Sequence, residues 1–436
     1  MSNIKYKIRT FINELKKEHS LYNFIANNNT QNKVFYGGPY WDDEEIISAI
    51  ETLLVGKWLT SGESVHKFEI EFSRKFYLND KKSYSLMTNS GSSANLLMLA
   101  ALKKRFEWND GDEIIVSVVG FPTTIAPIIQ NNLKPVFVDI ELDTLNFDTA
   151  QISKKITKKT RAIFVSPVLG NPPEMSSILH YCLSNKLQLV LDNCDSLGTR
   201  WLGVYLNEYA IASSCSFYPA HHITTAEGGM VSSADGEIID IARSFAWWGR
   251  DCYCVGAANL LPHGTCKNRF ARWLSPEYED VVDHKYVFTN VGYNLKPLDL
   301  QGAIGLEQLK KFDEIHKKRK EHKQTIQSLF EKYVNNIRVI DEQKECDVSW
   351  FGVPIICDSK QIKASLVSWL EQNNIQTRNY FAGNILLHPA YRQLDDWKKY
   401  KNANEVLDRV FFVGCSPQYG TREFELVEDV LKRYER

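Results

Sequence analysis

Between residues 56 and 235 the chain repeats one pattern, a short and almost unbroken apolar run followed by a stretch with helical spacing. The runs are "DEIIVSVV", "KPVFVDI", "RAIFVSPV", "LQLVLDN", "SSCSFY" and "GGMVSS". A strand wetted on one face alternates apolar and polar residues, whereas a strand covered on both faces does not. Such runs between helices predict an α/β fold with a mostly parallel central sheet flanked by helices. Ahead of them a helix is expected from Asp43, capped by Asp42, with Ile46, Ile47, Ile50, Leu53 and Leu54 on one face and a stop near Gly56.

The chain's 436 residues suffice for a large domain and a smaller one. Residues 1–36 read as an N-terminal extension, 37–325 as the large domain and 326–436 as a small C-terminal α+β domain. Residues 247–286 break the rhythm with three cysteines, several aromatics and basic residues in no clear period, which predicts a functional insertion. "LDLQGAIGLEQLKKFDEIHKKRKEHKQTIQSLFEKY" predicts one long or bent helix whose Lys/Glu content forms a solvated face.

Fifty-two basic and fifty-three acidic side chains leave a formal charge of −1, so no global field favours nucleic acid or an anionic membrane. The expected partner is a small molecule. No apolar run approaches the roughly 20 residues of a membrane span, and the chain's start has no apolar signal region. Nine cysteines, an odd count, suit reduced thiols. A cytoplasmic protein is expected.

Two segments carry candidate chemistry. In "TNSGSSANLL" a turn of small polar residues opens an apolar helix, where backbone N–H groups and the Ser92 and Ser93 hydroxyls can hold a phosphate. A capped helix without a ligand leaves the same pattern. In "LQLVLDNCDSLG", Asp192 ends a buried strand, where open α/β sheets place ligand groups. A carboxylate there needs a cation, such as a protonated pyridine nitrogen, or else it caps the next turn.

Taken in order, "SGSSAN", Asp192, "SFYPAH" leading into "EGGM", and "VGYNLKPLDLQGAIGLEQL" resemble the sugar-nucleotide aminotransferase family, a branch of the fold type I pyridoxal-phosphate (PLP) enzymes. The resemblance runs from about Gly37 to the C-terminus. It implies that Asp192 pairs with the cofactor ring nitrogen and that Ser92, Ser93 and Ser216 hold its phosphate. Phe121 of "VVGFPTT" would stack on the ring, and Asn294 would reach the phosphate from a neighbouring subunit of a homodimer.

One departure from the family pattern is decisive, because His221 stands where the Schiff-base lysine is expected. Imidazole cannot form the imine tether, but it moves protons near neutral pH. A silent enzyme or a packed histidine would carry the same residue, and His222 would orient its neighbour. The substitution resembles that of the sugar 3-dehydratases, which act with pyridoxamine phosphate (PMP). It implies that His221 takes a proton from the cofactor's C4′ methylene while the C3 hydroxyl of a nucleotide-linked 4-keto-6-deoxyhexose leaves.

Four cysteines, Cys194, Cys252, Cys254 and Cys266, suit a two-iron two-sulfur (2Fe-2S) cluster or a structural zinc, although the paired C-x-x-C spacing usual for zinc is absent. Their spacing resembles the iron–sulfur CDP-4-keto-6-deoxyglucose 3-dehydrase type, with a longer last gap before Cys266. That likeness implies 3,6-dideoxysugar synthesis for lipopolysaccharide O-antigen, with electrons from a separate flavin/iron–sulfur NAD(P)H reductase. Free thiols would leave a cluster-free 3-dehydratase of the GDP-4-keto-6-deoxymannose type, which uses glutamate as amino donor. A third reading is a silent sugar-nucleotide binding protein. "TRNYFAGN" and "GGPYW" resemble substrate-side segments of these dehydratases, and Arg378 is a candidate diphosphate contact.

Overall fold

The structure, a computed structural model, describes residues 3–18, 33–77, 83–252 and 266–434. Helix α1 (Asn3–Glu18) lays Ile8 and Ile12 against Ile47 of α2 (Asp43–Val55). Asp42 caps α2 as expected. Its carboxylate accepts from the Glu44 N–H at 2.8 Å while Glu45 accepts from the Asp42 N–H at 3.0 Å, a reciprocal box. Helix α3 (Glu63–Phe76) then leads into the central sheet.

That sheet has seven strands. In chain order they are β1 (Tyr84–Thr88), β2 (Glu113–Ser117), β3 (Lys134–Val138), β4 (Thr160–Val165), β5 (Gln188–Asp192), β8 (Ala212–Ser216) and β9 (Gly229–Ser233). A short hairpin, β6 (Arg200–Trp201) and β7 (Val204–Tyr205), sits apart from it. The order across the sheet is β1-β9-β8-β5-β4-β2-β3. Pairing is parallel from β8 through β5, β4 and β2 to β3, while β9 runs antiparallel to both of its neighbours. The six apolar runs thus become six of the seven strands, and β2, β8 and β9 are buried at every position.

Helix α4 (Gly91–Arg105) crosses this sheet with Leu97 to Leu102 all buried, which explains why it is apolar on every side. Its first turn sits tightly on the strand ends because glycines stand at the contacts. A Cβ on Gly91 would lie 2.5 Å from the Ser216 Cβ, and one on Gly229 would lie 2.3 Å from the Ser90 carbonyl oxygen.

The expected long helix is a single element, Asp299–Tyr333, of 35 residues. Its charged run departs from the expected solvated face. Arg319, His322 and Lys323 are buried, because the strands that follow fold back onto this side of the helix. Those strands make a four-stranded antiparallel sheet in the order Ile337–Val339, Gly352–Cys357, Val410–Gly414, Thr377–Asn379. Phe412 of this sheet and Phe351, just before its strand Gly352–Cys357, share a core with the central layer, so the two sheets enclose a common space. Within residues 247–286, Phe270–Ala271 pairs with Val282–Asp283, and the Trp273 ring stacks on His284 at 3.9 Å.

The close approach at Gly229 sets a test of the packing. Gly229→Ala should lower stability by about 1–3 kcal/mol through overpacking, seen as a lower Tm. Gly120→Ala, whose added Cβ meets no atom within 4 Å, should leave Tm nearly unchanged.

Candidate active site

A cavity of about 790 Å³ opens where the ends of β5 and β8 meet the start of α4, and Phe351, Phe381 and Phe412 close its far wall. This is the carboxyl end of the parallel strands, where α/β sheets collect ligand groups. Asp192, Ser92, Ser216, Phe121, His221 and Cys194 all border it.

Asp192 is 4% exposed. Four neutral donors reach its carboxylate: the Thr124 hydroxyl at 2.6 Å, the Asn95 amide at 2.8 Å, the Cys194 N–H at 3.2 Å and the Ser214 hydroxyl at 3.4 Å. They orient the group, yet none supplies positive charge. A buried carboxylate on a cavity floor with only neutral donors fits a protonated ring nitrogen, the charge that B6 cofactors present.

The turn before α4 supplies the second half of such a site. Ser90 caps the helix, its hydroxyl oxygen accepting from the Ser93 N–H at 3.1 Å, and Ser90, Gly91 and Ser92 face the cavity. Ser216 stands opposite, and a side chain at Gly91 would collide with it, so the two walls form a cradle of small groups suited to a phosphate. Ser93 lies outside the cavity lining, with its hydroxyl 3.0 Å from that of Ser90. Phe121 is 51% exposed and meets the Phe381 ring edge-on at 5.9 Å, leaving a face open at the mouth.

His221 sits in the loop that follows β8. Paired bonds at the loop's base shape it: Phe217 N–H to Gly228 O at 2.9 Å and Thr225 N–H to Phe217 O at 3.0 Å. The Thr224 hydroxyl adds a bond to Phe217 O at 2.8 Å. The imidazole side chain is 14% exposed, and its Nδ1 lies 3.6 Å from the Asp195 carboxylate without a hydrogen bond. Burial, together with the positive charge of Arg319, pushes its pKa down to about 4. Burial and the Asp192 charge push Asp195 up to about 7. Between those values imidazole and carboxylic acid stand side by side as neutral groups, leaving the histidine free to accept a proton. His222 does not border the cavity, and its Nε2–H donates to Ser349 O at 3.0 Å.

Other expected residues lie elsewhere. Asn294 is outside this chain's cavity, bridged to Trp247 and beside Lys296. Cys194 borders the cavity, its thiol pushed well above the usual range by burial and the nearby carboxylates. Cys252 is buried in the central core and Cys266 is half-buried, while Cys254 lies outside the described residues. Among the described residues no three His, Cys, Asp or Glu side chains converge as a metal site.

Sequence reasoning missed Asn95, Thr124 and Asp195. Asn95 carried a signal, a lone amide inside the apolar helix "ANLLMLAAL". His388 and Asn379 also border the cavity, and Arg378 stacks 4.1 Å over the Tyr36 ring at its edge. The segment "TRNYFAGN" therefore meets Tyr36, the residue just before "GGPYW", at one rim.

The buried imidazole generates a pH prediction. An unfolded histidine binds its proton near 6.5, whereas folded His221 does so only near 4. Between those values the unfolded chain binds more protons, so this residue makes the fold lose stability as pH falls through the window. In ¹⁵N NMR of the cofactor-free protein, the His221 ring should stay neutral from pH 8 to about 5. A midpoint above 6 would contradict the assignment.

Comparison with known proteins agrees with this geometry. Residues 41–432 match the model of the DegT/DnrJ/EryC1/StrS aminotransferase family. The dTDP-4-dehydro-2,6-dideoxy-D-glucose 3-dehydratase of Saccharopolyspora spinosa is 36% identical over 428 residues, covering 95% of this chain and 88% of that protein. Lipopolysaccharide biosynthesis protein RfbH of Salmonella typhimurium is 35% identical, covering 88% of this chain and 87% of its own. A crystal structure of GDP-4-keto-6-deoxymannose-3-dehydratase with a trapped PLP-glutamate geminal diamine superposes with a TM-score of 0.77 at 31% identity, over 92% of this chain and all of that one. With the family model spanning nearly the whole chain and these relatives above 30% identity, the chain belongs to the DegT/DnrJ/EryC1/StrS aminotransferase family.

Proposed function

We propose that this protein is a nucleotide-sugar 3-dehydratase that uses PMP to remove the C3 hydroxyl of a nucleotide-linked 4-keto-6-deoxyhexose. The observation that carries the reading is His221 on the cavity wall, where the sequence resemblance puts the family's lysine, with no lysine among the described residues lining the cavity. An aminotransferase needs a primary amine to tether its cofactor, and imidazole offers only proton transfer. The 3-dehydratases among the similar proteins support the same reading.

When bound, an aminated B6 cofactor supplies an electron sink conjugated to the sugar carbons. Each residue's task follows from its chemistry. Asp192 would hold the proton on the ring nitrogen, while Ser92, the α4 N-terminus and Ser216 would hold the phosphate. Phe121 would cover the ring. Neutral His221 would accept the carbon-bound proton and return it to the departing C3 hydroxyl, which leaves as water. Asp195, beside Nδ1, would stabilise the transient imidazolium. Asn294 and the exposed apolar side chains near it, Phe288, Val291 and Leu298, suit a homodimer in which Asn294 serves the partner's cavity.

The comparisons favour the cluster-free form with glutamate as amino donor, because a similar dehydratase holds a PLP-glutamate adduct. One observation favours a second form: Cys194 borders the cavity two residues beyond Asp192, and Cys252, Cys254 and Cys266 follow it in the chain. In that form a 2Fe-2S cluster would relay single electrons from an external reductase to complete a deoxygenation.

Turnover separates the two forms. With 4-keto-6-deoxy nucleotide sugars, the first form should release a 3-deoxy product with glutamate and no reductase, and Cys194→Ser should retain most activity. The second should be inert without a reductase, and protein purified without oxygen should be reddish-brown, a colour lost in Cys194→Ser. In either form His221→Asn should lower kcat by about 10²–10⁴-fold, the usual worth of a general base. A loss of less than tenfold would refute the assigned proton transfer.

A further inference from the structure

One buried charge beside the site has so far been given only an electrostatic effect on His221. Arg319 lies near the middle of the long helix and is 1% exposed. Its hydrogen bonds run to four backbone carbonyls: Ala220 O at 3.1 Å and His221 O at 3.2 Å from Nη2, with Phe351 O at 3.1 Å and Trp350 O at 3.4 Å from Nη1. No carboxylate is among these partners, and Nε is buried without a hydrogen bond.

Those carbonyls belong to two opposing pieces of the cavity wall. Ala220 and His221 form the turn that presents the imidazole. Trp350 and Phe351 lead into the strand Gly352–Cys357, and the Phe351 ring lies 5.1 Å from the His221 ring. The second piece is itself anchored by Phe351 N–H to Leu169 O at 2.9 Å, and His222, next to the turn, adds one further bond between the two pieces, to Ser349 O. Removing a guanidinium from water is costly, and carbonyl dipoles return only part of that cost. A long apolar side chain would fill the same space without the penalty. What it could not do is join two chain segments with a rigid planar fork of N–H donors.

We propose that Arg319 is a positioning residue whose guanidinium fixes the His221 turn against the Phe351 segment and so sets where the imidazole points in the cavity. Its consequence for turnover rests on the dehydratase reading, but its consequence for the ring position does not. Arg319→Met removes the fork, and Arg319→Lys keeps a cation that cannot span both segments.

Measured per folded, cofactor-loaded site, Arg319→Met should lower kcat about 10–100-fold, the scale of an ångström-sized misplacement. Arg319→Lys should fall less. KM for the nucleotide sugar and cofactor affinity should change less than about threefold, since neither Asp192 nor Ser216 touches the fork. The crystal structure of Arg319→Lys should show the His221 ring displaced by about 1 Å or more, with Asp192 and Ser216 in place. Three results overturn the proposal: a folded Arg319→Met with wild-type kcat, an unmoved ring, or failure of both variants to fold, which would make Arg319 a scaffold residue. A wild-type protein that never dehydrates would refute the functional reading alone, because ring displacement is read without turnover.

Discussion

The site is organised around one buried carboxylate held in place by hydrogen bonds from several parts of the chain. Asp192 ends β5 at the centre of the parallel sheet, and Thr124, Asn95, Ser214 and the Cys194 N–H all donate to it. Those donors come from four separate segments, so the carboxylate also fixes α4, the helix Pro122–Gln130, β8 and the loop after β5 relative to one another. An apolar residue at 192 would leave these donors buried without an acceptor, which costs more than the lost bonds themselves. In the proposed function a ring cation would complete this arrangement, with Ser90–Ser92 and Phe351 lining the same cavity.

Beside Asp192, burial disfavours the charged forms of His221 and Asp195. His221 is driven down and Asp195 driven up by the same burial, and Arg319 adds positive charge from beneath the turn. The result is an unprotonated imidazole at neutral pH beside a side chain that would steady it once it took up a proton. A lysine placed there would do both a tether's work and a base's work, whereas in the proposed function His221 does the second alone. The covalent anchor that this reading gives up would be offset by enclosure, since aromatic side chains of the C-terminal region line the cavity.

Much of this was legible in the sequence, for identifiable reasons. The apolar runs marked the strands because two-sided burial leaves no room for alternation, and Asp42 marked the start of α2 through local capping chemistry. Asp192 and His221 were legible through their positions at strand ends and in a motif. Asn95 and Thr124 were not, because their meaning lies in bonds to a residue 97 and 68 positions away. Arg319 was read as part of a solvated charged face, since "KKRKEHK" has the composition of one. Only the strands that fold back over the helix bury it, and spacing within the helix does not reveal them. Cys254 falls outside the described residues, and the cysteine spacing stands as a sequence observation alone.

The central claim is that the cofactor is gripped by shape and charge and never by a covalent bond to the chain. Mass spectrometry of cofactor-loaded protein treated with borohydride during turnover tests it most directly. The account predicts an unmodified chain mass after denaturation, with all B6 cofactor recovered in the small-molecule fraction. A chain carrying the reduced cofactor on any lysine would contradict it.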